Sequence, residues 1–185
     1  MIGKLLHAAI LVAAALAVGG ASSCTPKTAA PVKKPAAPDY QAAVPPSPPA
    51  ANIRATCYNE ADLATVRGRM LQQELSVATL QCQTAGGARA YDGPYGGFLA
   101  KYAGDLSANF RALQQVAGRR RLNVDVLVTE FANRTAQKAP VDPEFCSRSL
   151  RALEWGLDPK ATSLSQVPPP YDLGPDMNIH PCPAK

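Results

Sequence analysis

The side chains of this 185-residue chain that could do chemistry are few: five cysteines, two histidines and a scatter of carboxylates. Cys57, Cys82, Cys146 and Cys182 stand far apart. No two lie two to four residues from each other, so the paired spacing of a zinc site is missing. An even set of four distant cysteines instead suits two disulfides. His7 falls in an apolar leader and His180 near the C-terminus, so a Ser-His-Asp or Cys-His site would have to be built on His180 with the cysteines oxidised. Chemistry resting on carboxylates alone needs only Asp and Glu, and Glu74 and Glu130 are its candidates.

The elements that would position these residues begin with a leader. Met1 to Ser23 has a lysine at position 4, an apolar run from Leu5 to Val18 and a small-residue stretch, Gly19 to Ser23. This is the pattern of an export signal, and its apolar run is too short to span a membrane comfortably. Cys24 follows, and Ala21-Ser22-Ser23-Cys24 resembles a bacterial lipobox, with Ala21 where leucine is usual. The resemblance implies that Cys24 carries lipid and anchors the chain to a membrane. Residues 24–52 are nearly all Pro, Ala, Lys and Ser, which cannot bury enough surface to offset ordering entropy. They read as a disordered tether, roughly 80 to 90 Å long if extended as polyproline at about 3.1 Å per residue.

Residues 53–161 read as one all-α domain, an up-down four-helix bundle. The first helix covers Ala61 to Gln83, with Asn59 as N-cap and Leu63, Val66, Met70, Leu71, Val77 and Ala78 on one face. Arg67, Glu74 and Gln81, seven apart, fall inside that apolar arc. They read either as a buried ligand site or, more simply, as groups paired with neighbouring elements. A second helix is expected from Tyr95 to Arg120, with Tyr95, Phe98, Leu99, Tyr102, Leu106, Phe110, Leu113 and Ala117 as its stripe. Pro94 suits its first turn and Asp92 its cap. A third runs from Asn123 to Gln137. A fourth opens at Asp142-Pro143-Glu144 and places Cys146, Leu150, Leu153 and Leu157 on one face, with Trp155 opposite. Residues 162–185 form an extended, Pro-rich tail.

Short loops put the end of helix one and the start of helix four at one pole of such a bundle. That pairs Cys82 with Cys146 and leaves Cys57 with Cys182 at the other pole. The remaining pairings would stretch a bridge along the bundle, beyond the ~7 Å Cα limit.

The segments LQQELSVATLQC (Leu71–Cys82), YGGFLAKY (Tyr95–Tyr102), the Phe110 region, TEFAN (Thr129–Asn133) and Phe145-Cys146 together resemble small exported helical proteins of alphaproteobacteria. The resemblance spans about Arg67 to Leu150. It implies that Cys82 and Cys146 belong to a shared framework, with Cys57 and Cys182 particular to this chain, and it brings no activity.

Arg119-Arg120-Arg121 admits two readings: an anionic partner, or cations complementing a helix C-terminus. The formal charge of +5 owes much to leader and tether lysines. No aromatic residue interleaves the arginines, so nucleic acid is not expected as a partner. The expectation is therefore a non-enzymatic, exported protein without cofactor or metal, lipid-anchored at the inner or outer membrane, or else soluble in the periplasm or secreted. It would bind or scaffold an envelope protein or cell-wall component, with Arg119, Arg120, Arg121 and Trp155 as candidate contacts. The alternatives are a carboxylate-dependent hydrolase of envelope polymers and a carrier of a small apolar ligand with a pocket among its helices.

Overall fold

A computed structural model describes residues 37–44, 53 and 56–183. The expected leader 1–23, the candidate lipidation site Cys24 and most of the expected tether lie outside the described residues. Strand β1 (Thr56–Tyr58) leads into α1 (Glu60–Gln81), followed by α2 (Asp92–Lys101), α3 (Ala103–Arg120), α4 (Val124–Lys138), α5 (Phe145–Leu157) and a short strand β2 (Ile179–Pro181). Between α5 and β2 the chain makes two 3-10 turns, Leu164–Gln166 and Pro175–Met177.

Helix α1 is the hub, with α3 and α4 along its sides, α5 against it and α2 packed on α5. Its N-cap is Asn59, whose side chain accepts from the Asp62 amide at 2.8 Å. Its apolar face is fully engaged: Met70, Leu71, Leu75 and Ala78 are all completely buried. The helix stops at Cys82, which turns extended, and Gly87 supplies a left-handed φ of 80° in the tight turn that follows.

Five helices form where four were expected, because the helix expected from Tyr95 to Arg120 is interrupted at Tyr102. The cause is a neighbouring helix end. The Tyr102 hydroxyl lies 2.7 and 2.9 Å from the carbonyls of Gly156 and Ala161, and Lys101 Nζ donates to the Gly156 and Asp158 carbonyls. Helix α5 has no basic residue in its last turn, so the cation at its negative end comes from α2. The expected cap at Asp92 does not form either. Tyr91 occupies the N-cap position with no side-chain bond.

The face that α5 buries also differs from the expected one. Phe145, Ser149, Ala152, Leu153 and Gly156 are covered, while Leu157 is 36% exposed. Small residues let α5 approach closely. A Cβ at Gly156 would meet the Phe98 ring at 3.2 Å.

The expected domain boundary at residue 161 does not mark the edge of the core. Leu164, Val167, Tyr171, Leu173, Met177 and Ile179 are all buried. Nor does the chain N-terminal to residue 53 stay clear of the fold, since Tyr40 is 1% exposed. The two ends of the domain meet as a parallel pair, β1 on β2, with Cys57 opposite His180.

Both disulfides pair as expected. Cys82–Cys146 joins the end of α1 to the start of α5, and Cys57–Cys182 ties β1 to the residue after β2. Among the described residues no helix is long and apolar enough to cross a membrane.

A candidate binding groove between the first helix and the tail

Three consecutive prolines set up the site. Pro168, Pro169 and Pro170 have no N–H, so their backbone offers only carbonyls. Three consecutive residues from the N-terminal side answer in register. The Tyr40 hydroxyl donates to Pro168 O at 2.9 Å, Gln41 Nε2 to Pro169 O at 3.3 Å, and the Ala42 amide to Pro170 O at 2.9 Å. Ala42 and Tyr171 form a parallel bridge.

Helix α5 flanks this ladder with cations. Arg148 Nη1 donates to the Tyr40 carbonyl at 3.3 Å, and Arg151 Nε stands 3.6 Å from the Asp39 carboxylate. Arg148 also pairs with Asp142 at 3.1 Å, and Asp142 accepts from the Tyr171 hydroxyl at 2.7 Å. Burial opposes the Asp142 charge, but the Tyr171 hydroxyl, the Glu144 amide and Arg148 outweigh it and hold the carboxyl below its ordinary value. Burial, then Asp142, drives the Tyr171 phenol far up, which keeps it a donor.

Beneath the ladder lies Glu74. It is 1% exposed, and its Oε2 accepts from the Tyr171 amide at 3.0 Å. Its second oxygen has no hydrogen-bond partner among the described residues. Burial pushes this carboxyl well above its ordinary value, partly opposed by the Tyr171 bond. Burial, then the charge of Glu74, does the same to the Tyr40 phenol.

Two concavities adjoin the docked segment. One, of about 390 Å3, is walled by Gln41, Ser165, Pro168 and the Arg67–Asp172 pair, whose charges stand 3.5 Å apart and 44% exposed. The other, of about 450 Å3, is walled by Ala42, Val44, Lys138, Arg148 and Val141, the last 74% exposed. The Arg67, Glu74 and Gln81 row therefore resolves into three different roles. Arg67 is a surface ion pair, Glu74 a buried acceptor for the tail, and Gln81 lies in solvent.

The other candidate residues lie elsewhere. Arg119 and Arg120 both grip the buried Asp62 carboxylate, at 2.7 and 3.0 Å. Arg120 also donates to Thr56 and to the Cys57 carbonyl, and it stacks 3.9 Å over the Tyr58 ring. Arg121 ends α3 in the left-handed conformation and is exposed. Trp155 is half-buried, its Nε1 donating to Gln166 O at 2.9 Å. Trp155 adjoins Gly156, which faces the start of α3, whereas the arginines close it, roughly 27 Å away along an 18-residue helix at 1.5 Å per residue. The structure does not bring these candidates together.

Glu130 pairs with Arg134 at 3.7 Å, and His180 is exposed on β2. Among the described residues, no group of three His, Cys, Asp or Glu could hold a metal ion. Nothing in the sequence pattern singles out Tyr40, Arg148, Tyr171 or the three prolines. The available signal was Tyr40 itself, the lone aromatic side chain between residues 24 and 52.

The fold so described is a small, mostly helical domain closed by two disulfides. No family model matches the chain, and neither the curated proteins nor the solved structures include a significant match to it.

Proposed function

We propose that this chain is an exported envelope protein, anchored through lipid on Cys24, whose folded part is a non-enzymatic binding module. The observation that carries the reading is the pair of disulfides, one of which, Cys57–Cys182, is open to solvent at both residues. An exposed disulfide persists in an oxidising, non-cytoplasmic compartment and is reduced elsewhere.

Binding rather than turnover is supported by the carboxylates. Glu74 lies beneath Tyr171 and accepts from its backbone, so it cannot reach a polymer, and Glu130 is engaged by Arg134. An apolar-ligand carrier is less well supported, because the space among the helices is occupied by Met70, Phe98, Tyr102, Leu113, Phe131 and Leu153. The groove beside Arg67 and Asp172 is open, polar and charged, which suits recognition of a polar chain from the envelope.

Intact mass spectrometry on protein purified from its own envelope, before and after reduction, tests the reading. The expected mass begins at Cys24, carries acyl chains and gains four protons on reduction. An unmodified chain would remove the anchor, and a mass unmoved by reduction would remove the disulfides.

A further inference from the structure

The docked segment is unusual among the core elements in what holds it. Tyr40 is buried like the core residues of the helices, yet its segment belongs to no helix, and its backbone is held by the Ala42 amide on Pro170 and by Arg148 on the Tyr40 carbonyl. Residues 39–42 lie in no helix or strand, so their departure unwinds none. Simple departure is disfavoured, because it exposes the Tyr40 ring and strips donors from three carbonyls. Replacement by a similar segment carries neither penalty.

The contacts define what would fit. An acidic residue meets Arg151, a tyrosine enters the slot above Glu74 and reaches Pro168 O, a side-chain amide reaches Pro169 O, and a small residue with a free N–H reaches Pro170 O. One main-chain bond, from the Ala42 amide to Pro170 O, sets the direction of the segment, and the Tyr40 and Gln41 side chains supply the other two, so backbone pairing and side-chain slots together read an extended segment. We propose that the Pro168–Tyr171 ladder is a recognition site for extended segments of the form acidic–Tyr–polar–small. Residues 39–42 are its resident intramolecular occupant, and a segment of the same chemistry on a second envelope protein displaces them.

A second copy of this chain is the weaker occupant. Every copy carries its own segment at the millimolar local concentration of a short tether, so exchange between identical copies gains nothing. A partner with a better-fitting or repeated segment does gain. The proposal rests on the binding-module reading of this groove and is independent of the lipid.

The test is fluorescence anisotropy with a labelled peptide of residues 37–44 against the full mature chain and its Tyr40→Ala variant. The variant should bind the peptide at least about ten-fold more tightly than the wild type, whose slot is occupied at high local concentration. A peptide with alanine in place of its tyrosine should bind neither. If Tyr40→Ala fails to fold, Ala42→Pro takes its place. It removes the N–H to Pro170 while leaving the ring, and should also raise peptide uptake above wild type. No binding to a folded variant, or equal binding to variant and wild type, overturns the proposal. Concentration-dependent dimers of the wild type that disappear in Tyr40→Ala would overturn the assignment to a second protein. None of these results bears on the mass measurement, so the anchor and the groove stand or fall separately.

Discussion

The carboxyl of Glu74 on α1 accepts the backbone N–H of Tyr171 at 3.0 Å across 97 residues of sequence, and it does so buried in the interior. A carboxyl whose folded value is raised binds its proton more tightly in the native state. Its stabilising contribution is complete below the ordinary value of 4.5 and is lost as pH rises through the raised folded value. Glu74→Gln keeps an acceptor for Tyr171 and cannot ionise. Its melting temperature should match wild type near pH 4 and exceed it at pH 8, flattening the alkaline side of the profile. Thermal melts across that range decide the matter, and parallel curves for the two proteins would refute the assignment.

Asp142, on the other side of Tyr171, has the opposite sign. Its folded value lies below the ordinary 3.8, so its contribution is present above that value and is lost as pH falls through the folded one. Protonation weakens its hold on Arg148 and on the Tyr171 hydroxyl, and Arg148 in turn holds the Tyr40 carbonyl. Asp142→Asn should lower the melting temperature at pH 6, and the difference from wild type should shrink as pH falls below 3.8 and through the folded value. Limited proteolysis near residues 37–44 at pH 6 should be faster in the variant than in wild type. Equal cleavage would separate Asp142 from the docked segment.

Tyr102 closes the end of α5. Tyr102→Phe keeps the ring against Phe98 and removes the hydroxyl that meets the Gly156 and Ala161 carbonyls. Lys101 still serves Gly156, so one buried carbonyl is orphaned, at a cost of about 1–2 kcal/mol. The expected fall in melting temperature is about 3–6 °C. Lys101→Ala, at an exposed position, should fall by less. The reverse order would assign the cap to charge rather than to the buried hydroxyl.

What could be read ahead of the structure was whatever repeats. Leu63, Val66, Met70 and Leu71 recur at helical spacing, so their burial follows from period alone. The Cys82–Cys146 bridge follows from helix ends that share a pole, whereas Cys57 and Cys182 are brought together by the tail returning as β2 beside β1. Tyr102 interrupts its helix without breaking the apolar stripe, because what interrupts it is a carbonyl of α5, and period carries no trace of such a contact. Phe110 sits on the same stripe yet is 40% exposed beneath the Arg69 guanidinium. The groove left no period at all. Tyr40 and Pro168 lie 128 residues apart in segments whose composition resembles that of disordered chain, and only their pairing brings Tyr40 into the core.

The two disulfides should respond differently to reductant, because their surroundings differ while their leverage on the unfolded chain is similar. Cys82 is 2% exposed at the buried end of α1, whereas Cys57 and Cys182 both face solvent. Cys82–Cys146 closes a separation of 64 residues, and Cys57–Cys182, nested outside it, closes a comparable effective loop. On the chain-entropy model each contributes about 4 kcal/mol. Attack by a phosphine or thiol needs access to sulfur, so graded reduction of the native protein should open Cys57–Cys182 first. Alkylation and peptide mass mapping should then find label on Cys57 and Cys182 while Cys82 and Cys146 stay protected until denaturant is added. Replacing Cys57 and Cys182 together by serine should lower the melting temperature by about 10 °C and leave the other bridge intact. Simultaneous labelling of all four cysteines would mean that the β1–β2 pairing holds the whole domain closed, so that opening one pole unfolds the other.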